Sequence, residues 1–596
     1  MSKPTNTISI FADQIASAGN RPALWSKRDG RWQSTTWRDY AALVRQFGQA
    51  LIKHGVAPKA CVGIIGFNRE EWLAAYVGAV SVRAIPVGLY TTSSAEQVAY
   101  ILSHCDAPVV VVENESYLSR VLSVRNQLPN LRHIVVMDSP ATLPPGVVAW
   151  SDWVRQGAAE TSEAFDARVA AIESEDVATL IYTSGTTGHP KAVMLTHANA
   201  VWTAQRLVAA LGVRRGEEVL LSYLPLSHIA EQICSIFGPI YMGIEVFFAE
   251  SMEKLPDNIK EVRPTVFFGV PRVWEKFAAK ARARIAQSPP ARQKLVAWAQ
   301  AVALRWHTAK MSGDRPTLSD HAQYALAQAL VFSKLKARIG FDRTHLFATS
   351  AAPIGRDVLD FFASCDIVLR EIYGQSEVTG PTTVNTPDAT RLGTLGRPLY
   401  GVEVRIADDG EILVRGGNVC AGYYKDPVAT AQLLEGGWLH SGDVGVLDKS
   451  GYLTITGRKK ELIVTSGGKK TAPAYIEGLI RAIEPVGHAL VVGDNRNYLV
   501  ALITLDPDRV AAFAQARGWG SDAAALAADR SFRSYLQAQL DAQVNAKLAR
   551  FESIKKFDIL ARDFSIDGGE LTSTLKVRRS VCEAKYRAEI DALYAD

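Results

Sequence analysis

The sequence predicts an α/β protein: a large N-terminal domain of layered α/β subdomains plus a β-rich module, followed by a small α+β C-terminal domain. Three observations predict it. Short β-branched runs alternate with longer helical patterns up to about residue 400, polarity then alternates around turn signals, and a compact helix-and-strand unit follows residue 457. With 596 residues, 48% of them hydrophobic and 21% charged, the chain is long enough for several lobes and lies well away from disordered or coiled-coil compositions.

The runs 62–66, 109–112, 134–137, 180–183, 219–221, 246–248 and 266–268 read as strands covered on both faces. Residues 402–407 and 411–415 then alternate in polarity about Asp408-Asp409-Gly410, a hairpin signal that opens a β-rich module over about 395–457. A second hairpin runs through 443–447, turns at Asp448-Lys-Ser-Gly451 and returns through 452–457. If Asp448 pairs with Gly451, Asp443 falls opposite Thr456, one or two residues from Arg458, and an acid meets a base at the open end. The domain boundary is expected near 457, giving domains 1–457 and 458–596. In the second, Thr471 can cap a helix with Pro473 in its first turn and Ile476, Leu479, Ile480 and Ile483 on one face, and 489–492 and 499–505 read as strands.

The charge balance excludes some functions. With 66 Lys and Arg against 61 Asp and Glu, a net +5 is too small for a chain built to coat nucleic acid, so no nucleic-acid partner is expected. The six cysteines lie scattered without a C-x-x-C pair, which suggests neither a zinc framework nor a disulfide scaffold and fits a reducing compartment. The first residues hold no apolar h-region and no run of 18 apolar residues occurs, so a cytoplasmic location is expected, with peripheral membrane contact left open. Nothing in the sequence signals an oligomeric state.

The most informative segment is Tyr182-Thr-Ser-Gly-Thr-Thr-Gly-His-Pro-Lys191, which follows a predicted strand. Thr183, Ser184, Gly185, Thr186, Thr187, Gly188 and Lys191 together supply backbone N–H groups, hydroxyls and a positive charge for phosphate oxygens. It is not a Walker A loop, because Pro190 stands where the second glycine would be and Ala192 follows the lysine. A polar turn would account for any one of these residues and poorly for all ten.

With this loop the sequence resembles the acyl-adenylate-forming enzymes, which include acyl-CoA synthetases, firefly luciferase and the adenylation domains of peptide synthetases. Further motifs of that family follow in order over nearly the whole chain: Leu224-Pro-Leu-Ser-His228, Ser350-Ala351-Ala352-Pro353, Tyr373-Gly374-Gln375-Ser376-Glu377, Ser441-Gly-Asp443, Gly457-Arg-Lys-Lys-Glu461 and Leu571-Thr-Ser-Thr-Leu-Lys576. The resemblance implies a two-step reaction: a carboxylate attacks the α-phosphate of ATP and releases pyrophosphate, and a thiol then attacks the acyl-adenylate and releases AMP. It implies ATP, Mg²⁺ and coenzyme A.

By the same resemblance, Glu377 and Thr186 would hold Mg²⁺, which favours few carboxylates plus phosphate oxygens. Tyr373 would stack on adenine, with 350–353 as the other wall and 374–376 beside it. Asp443 would bind the ribose hydroxyls and Arg458 make a second ribose or phosphate contact. Lys576 would bridge carboxylate and phosphate oxygens during adenylation, His228 would sit beside the acyl carboxylate, and Lys460 would be the hinge about which a mobile small domain turns. Gly467, Gly468, Lys469 and Lys470 would meet CoA. Thr-Leu-Lys stands where many members have Ser-Gly-Lys, a form similar to long-chain enzymes.

The helical stretch 275–343 is similar to the insert of long-chain and very-long-chain, bubblegum-type acyl-CoA synthetases. It carries thirteen Lys and Arg against four Asp and Glu, and Leu295, Trp298, Val302 and Trp306 share one helical face. A fatty acid substrate is therefore expected, together with a basic surface able to approach anionic membrane. The alternatives are an acyl-AMP ligase that serves a separate carrier protein, and a non-catalytic nucleotide- or lipid-binding relative.

Overall fold

Eight strands make the largest sheet, in the spatial order Gly422–Tyr423, Lys191–Thr196, Val177–Thr183, Ile85–Leu89, Cys61–Ile65, Val109–Val112, His133–Val136 and Val147–Ala149. The computed structural model in which this is seen describes residues 6–183, 189–520, 522–572 and 576–595. The central strands are parallel, and Val109 through Val112 are all fully buried, as the unbroken apolar run requires. Each valine so buried contributes about 1.5–3 kcal/mol. The strand Ile85–Leu89, which the sequence reading passed over, lies in the middle of this sheet, where the Pro86 carbonyl accepts from the Thr179 hydroxyl at 3.1 Å.

The other predicted runs are dealt into two further sheets. Val219–Ser222 and Glu245–Phe248 join an unanticipated hairpin of Pro22–Arg28 and Arg31–Thr36. Val266–Gly269 begins a five-stranded sheet with Leu346–Thr349, Leu369–Gln375, Gly380–Val384 and Arg397–Pro398. Beneath it Trp274, fully buried, meets Phe267, Phe347 and Phe362 edge to face at 5.4, 6.1 and 5.1 Å, contacts each adding about 0.5–1.5 kcal/mol beyond their area.

The β-rich module is a four-stranded antiparallel sheet of Glu403–Ile406, Glu411–Arg415, Leu439–Leu447 and Leu453–Arg458. Its second hairpin corrects the expected register. The turn closes one residue later, with the Asp448 N–H donating to the Tyr452 carbonyl, and a bulge between Val444 and Gly445 adds another offset. Asp443 therefore pairs with Arg458 itself rather than with Thr456. The strand runs one residue past 457.

The small domain packs helices on a three-stranded sheet of Val486–Val492, Leu499–Leu505 and Ile554–Ile559. Helix Pro473–Arg481 begins as expected with proline, but Thr471 does not cap it: Ala472 holds the cap position, and the Thr471 hydroxyl donates to Glu552 at 2.8 Å. The insert folds into helices Pro271–Ala286, Pro290–Ser312, Leu318–Ala327 and Ser333–Ile339 around a small core of Ala299, Val302, Ala303, Ala327 and Phe332. Trp306 joins by stacking on Tyr324 at 4.4 Å, whereas Leu295, expected on the same helical face, is 38% exposed. Buried Asp366 ties the insert down by accepting from His307 at 2.8 Å, from Tyr324 and Lys336 at 2.6 Å each, and from Gln328.

Candidate active site

The register shift puts one carboxylate at the centre of a polar cluster. Asp443, 4% exposed, receives the Arg458 Nε at 3.0 Å on one oxygen, while the other accepts from the Tyr373 hydroxyl at 2.9 Å and the Gln375 amide. Charge-assisted bonds of this kind hold a carboxylate in a fixed orientation. Tyr373 is buried as a core tyrosine would be, with its hydroxyl engaged by Asp443, and burial followed by the Asp443 charge pushes its pKa well above the ordinary tyrosine value. Arg458, by contrast, keeps an accessible guanidinium at the cleft.

The neighbouring segment 350–353 is fixed from its first residue. The Ser350 hydroxyl donates to the Ile372 carbonyl at 2.6 Å, and Ala351 takes φ +76°, a left-handed conformation seldom adopted by residues other than glycine. Ala352 and Pro353 are exposed. Gly374 is required where the strand bulges, because a Cβ there would stand 1.5 Å from the Gly380 carbonyl oxygen. Ser376 is buried and Glu377 half-buried in the turn that follows.

Glu377 and Lys191 converge on a residue the sequence reading missed. Tyr423 donates its hydroxyl to Glu377 Oε1 at 3.0 Å and presents its ring to the Lys191 ammonium, 4.7 Å from the ring centroid. Thr183 closes the strand before the loop and pairs with Lys191 across it. Ser184, Gly185, Thr186, Thr187 and Gly188 lie outside the described residues, and with them the Thr186 metal assignment. For Mg²⁺, one carboxylate in an open cleft is a fitting donor set, since that ion takes its other ligands from phosphate and water.

His228 stands at the end of a loop held by buried amides. Asn68 donates to the Leu224 carbonyl at 2.7 Å and Gln232 to the Leu226 carbonyl at 3.0 Å. The His228 Nδ1 accepts from the Ala230 N–H at 3.2 Å, which leaves Nε2 to carry the proton of the neutral ring. Burial, then the positive charge of Lys576, lower the His228 pKa to about 4, so the ring is a neutral donor at pH 7. Three residues on, Glu231 is 2% exposed and accepts from Ser222 and Ser235 at 2.5 Å each. Burial raises its pKa to about 7.

Lys576 comes to this cleft from the small domain. Its backbone is paired with Thr572, whose N–H donates to the Lys576 carbonyl at 2.8 Å and whose hydroxyl accepts from the Lys576 N–H at 3.1 Å. The ammonium is reachable by solvent yet enclosed by the cleft walls; that enclosure, followed by the Arg458 charge, lowers its pKa, while Asp443, Glu377 and Glu461 oppose the change. The small domain is held in this position by Arg272, which reaches Asp506 at 2.7 Å, and by Lys276 at 3.6 Å from Asp508.

Lys460 is exposed, immediately after Lys459, which is anchored on Asp409 at 2.7 Å and Glu411 at 2.9 Å. The motif Gly457-Arg-Lys-Lys-Glu461 contains Lys459, but nothing in the sequence assigned it a role of its own. Gly467, Gly468 and Lys469 occupy an exposed turn between strands Ile463–Val464 and Lys470–Thr471, with Gly468 at φ +71°, and exposed Lys470 opens the second strand. Lys191, Glu377, Asp443, Arg458, His228 and Lys576 are thus brought to one cleft, and the 467–470 turn stands on a separate hairpin.

Residues 11–424 match the family described as AMP-binding enzyme, and residues 460–596 match the AMP-binding enzyme C-terminal domain. A Xenopus laevis protein named long-chain-fatty-acid–CoA ligase ACSBG2 is 36% identical over 100% of this chain and 84% of its own. The Homo sapiens protein of the same name is 33% identical over 99% and 92%. A Mycobacterium bovis protein named long-chain-fatty-acid–CoA ligase FadD15 is 36% identical over 95% and 93%. Among solved structures, the anthranilate CoA ligase AuaEII in complex with anthranoyl-AMP superposes with a TM-score of 0.71 at 20% identity, covering 98% of each chain. The A domain of carboxylic acid reductase from Segniliparus rugosus, with AMP and a co-purified carboxylic acid, gives 0.75 at 19% identity, covering 99% of this chain and 94% of that one.

Proposed function

This chain belongs to the AMP-binding enzyme family, and from that membership we propose that it activates long-chain fatty acids with ATP and transfers them to coenzyme A. The observation that carries the reading is the arrival of Lys576 among Glu377, Asp443 and Arg458, beside neutral His228. The naming of full-length relatives as long-chain-fatty-acid–CoA ligases supports the substrate class and favours CoA over a carrier protein.

In the first step a carboxylate oxygen bonds to the α-phosphorus and the bond to pyrophosphate breaks. The reaction depends on placing two anions together. Lys576 supplies a cation between them, and the proton on His228 Nε2 is a donor that adds no charge. Lys191 and the 183–188 loop take the outer phosphates, Tyr373 and residues 350–353 flank the base, and Asp443 accepts the ribose hydroxyls. Mg²⁺, held through Glu377, neutralises phosphate charge when bound. In the second step the thiol sulfur bonds to the acyl carbon and AMP leaves. A turn of the small domain about Lys460 would withdraw Lys576 and bring the 467–470 turn toward CoA.

We further propose a cytoplasmic enzyme that meets anionic membrane through its insert. Five of the exposed large hydrophobics lie there: Leu318 at 90%, Leu326 at 50%, Leu330 at 41%, and Leu295 and Leu304 at 38%. They share the insert with its excess of Lys and Arg. Among the described residues no helix is long and apolar enough to cross a membrane, and the six cysteines are free thiols.

The test is fatty-acid-dependent ATP–pyrophosphate exchange, followed by acyl-CoA formation on adding CoA. Lys576→Ala should lower the exchange by about 10²–10³-fold while forming thioester from supplied acyl-adenylate at the parent rate. Acyl-AMP accumulating without acyl-CoA would favour a carrier-protein acceptor, and absent exchange over a panel of acids would leave only a binding protein.

A further inference from the structure

Two opposite charges assigned to the phosphate end of the site, Lys191 and Glu377, do not touch each other. Both touch Tyr423 instead, the ammonium on its ring and the carboxylate on its hydroxyl. Tyr423 is itself tightly placed. Its strand is the edge of the large sheet, paired with the strand that begins at Lys191, and the Ala421 and Tyr424 N–H groups donate to Met194 and Ala192 at 3.0 and 2.8 Å. Its own N–H donates to the Thr430 hydroxyl at 2.9 Å. Gly422 precedes it at φ +121°, and a Cβ there would meet Thr430 at 2.3 Å, so the segment admits no side chain in that step. The Cys420 N–H donates to the Glu377 carbonyl at 2.9 Å, tying the backbone of the acid to the same segment.

A lysine and a glutamate facing one cleft attract each other. At 4 Å the attraction is about 4 kcal/mol in the effective dielectric of a partly buried site, enough to collapse them into an ion pair that neutralises both. A phenol between them gives each a partner of its own: the ring quadrupole holds a cation, and the hydroxyl proton holds an anion. A phenol carries its proton at neutral pH and so remains a donor to the carboxylate.

We propose that Tyr423 is a positioning residue that keeps Lys191 and Glu377 apart and separately aimed, so that phosphate meets an unpaired cation and Mg²⁺ an unpaired carboxylate. This rests on the reading of those two residues given above. The ring serves Lys191 and the hydroxyl serves Glu377, so the two functions separate by substitution.

Equilibrium binding of a non-hydrolysable ATP analogue, by calorimetry with and without Mg²⁺, tests it in the full chain. Tyr423→Phe keeps the ring and should leave metal-free affinity within about twofold, while the gain in affinity on adding Mg²⁺ drops by about tenfold or more, the loss of one charge-assisted bond. Tyr423→Leu should lose the Mg²⁺ gain and, in addition, weaken metal-free binding by about threefold or more, the scale of an exposed cation–π contact. A Phe variant whose Mg²⁺ gain equals or exceeds the parent's overturns the proposal, as does a Leu variant no weaker than Phe without metal. Lys191→Ala binding the metal-free analogue as tightly as the parent would instead overturn the reading of the site.

Discussion

Glu231 shows what burial does to a single side chain. In the unfolded chain its proton leaves near 4.5; in the folded protein it stays to about 7 because the carboxyl is out of reach of water. Between those values folding takes up a proton, so this group's contribution to stability declines as pH rises, and above 7 the cost levels off at about 3 kcal/mol. Glu231→Gln removes the titration. Its stability relative to the parent should therefore grow between pH 5 and 8 by about 1–3 kcal/mol, read from urea unfolding of both proteins. Parallel curves would show that Glu231 is not protonated in the fold. At this scale the sequence was legible where a motif spans several residues, as at Tyr373 to Glu377. It was opaque where a role depends on a distant neighbour: Tyr423 gains its meaning only from Glu377 and Lys191, which lie on other strands.

At the scale of elements, periodicity located nearly every strand it named, because a run such as Val109–Val112 can be satisfied only by burial on both faces. It missed Ile85–Leu89, where Pro86 removes a donor and reads as a break. It also placed Asp443 opposite the wrong residue, since a bulge adds an offset that no alternation of polarity records. The insert divides the same way. Its basic excess was visible, whereas the leucines left exposed around its small core became clear only when the helices were packed. If that surface meets lipid, the protein should co-sediment with vesicles containing anionic lipid and much less with neutral ones, and Leu318→Asp should reduce the bound fraction several-fold without altering activity on dispersed acid. Equal, negligible sedimentation with both vesicles would remove the membrane role.

For the whole molecule, the decisive feature is the position of one domain on the other. The expected boundary followed from the change of pattern after the second hairpin, but the contacts across it did not, because Arg272 and Asp506 are separated by more than two hundred residues. Asp506 is 3% exposed and also holds Arg509, so losing Arg272 leaves a buried carboxylate short of a partner. Arg272→Ala should slow ATP–pyrophosphate exchange by about tenfold while leaving thioester formation from supplied acyl-adenylate within about twofold. Equal slowing of both would mean that the pair supports folding and not the placement of Lys576.

The helix Pro271–Ala286 that carries Arg272 also opens the insert. One rod, roughly 24 Å long at 1.5 Å per residue, is therefore both the footing of a surface lobe and the bearing on which the other domain rests. Its contacts with Asp506 and Asp508 come from its first two turns, through Arg272 and Lys276. Trimmed into those turns, the chain would keep every residue proposed for the chemistry and lose the ion pairs that seat one domain on the other.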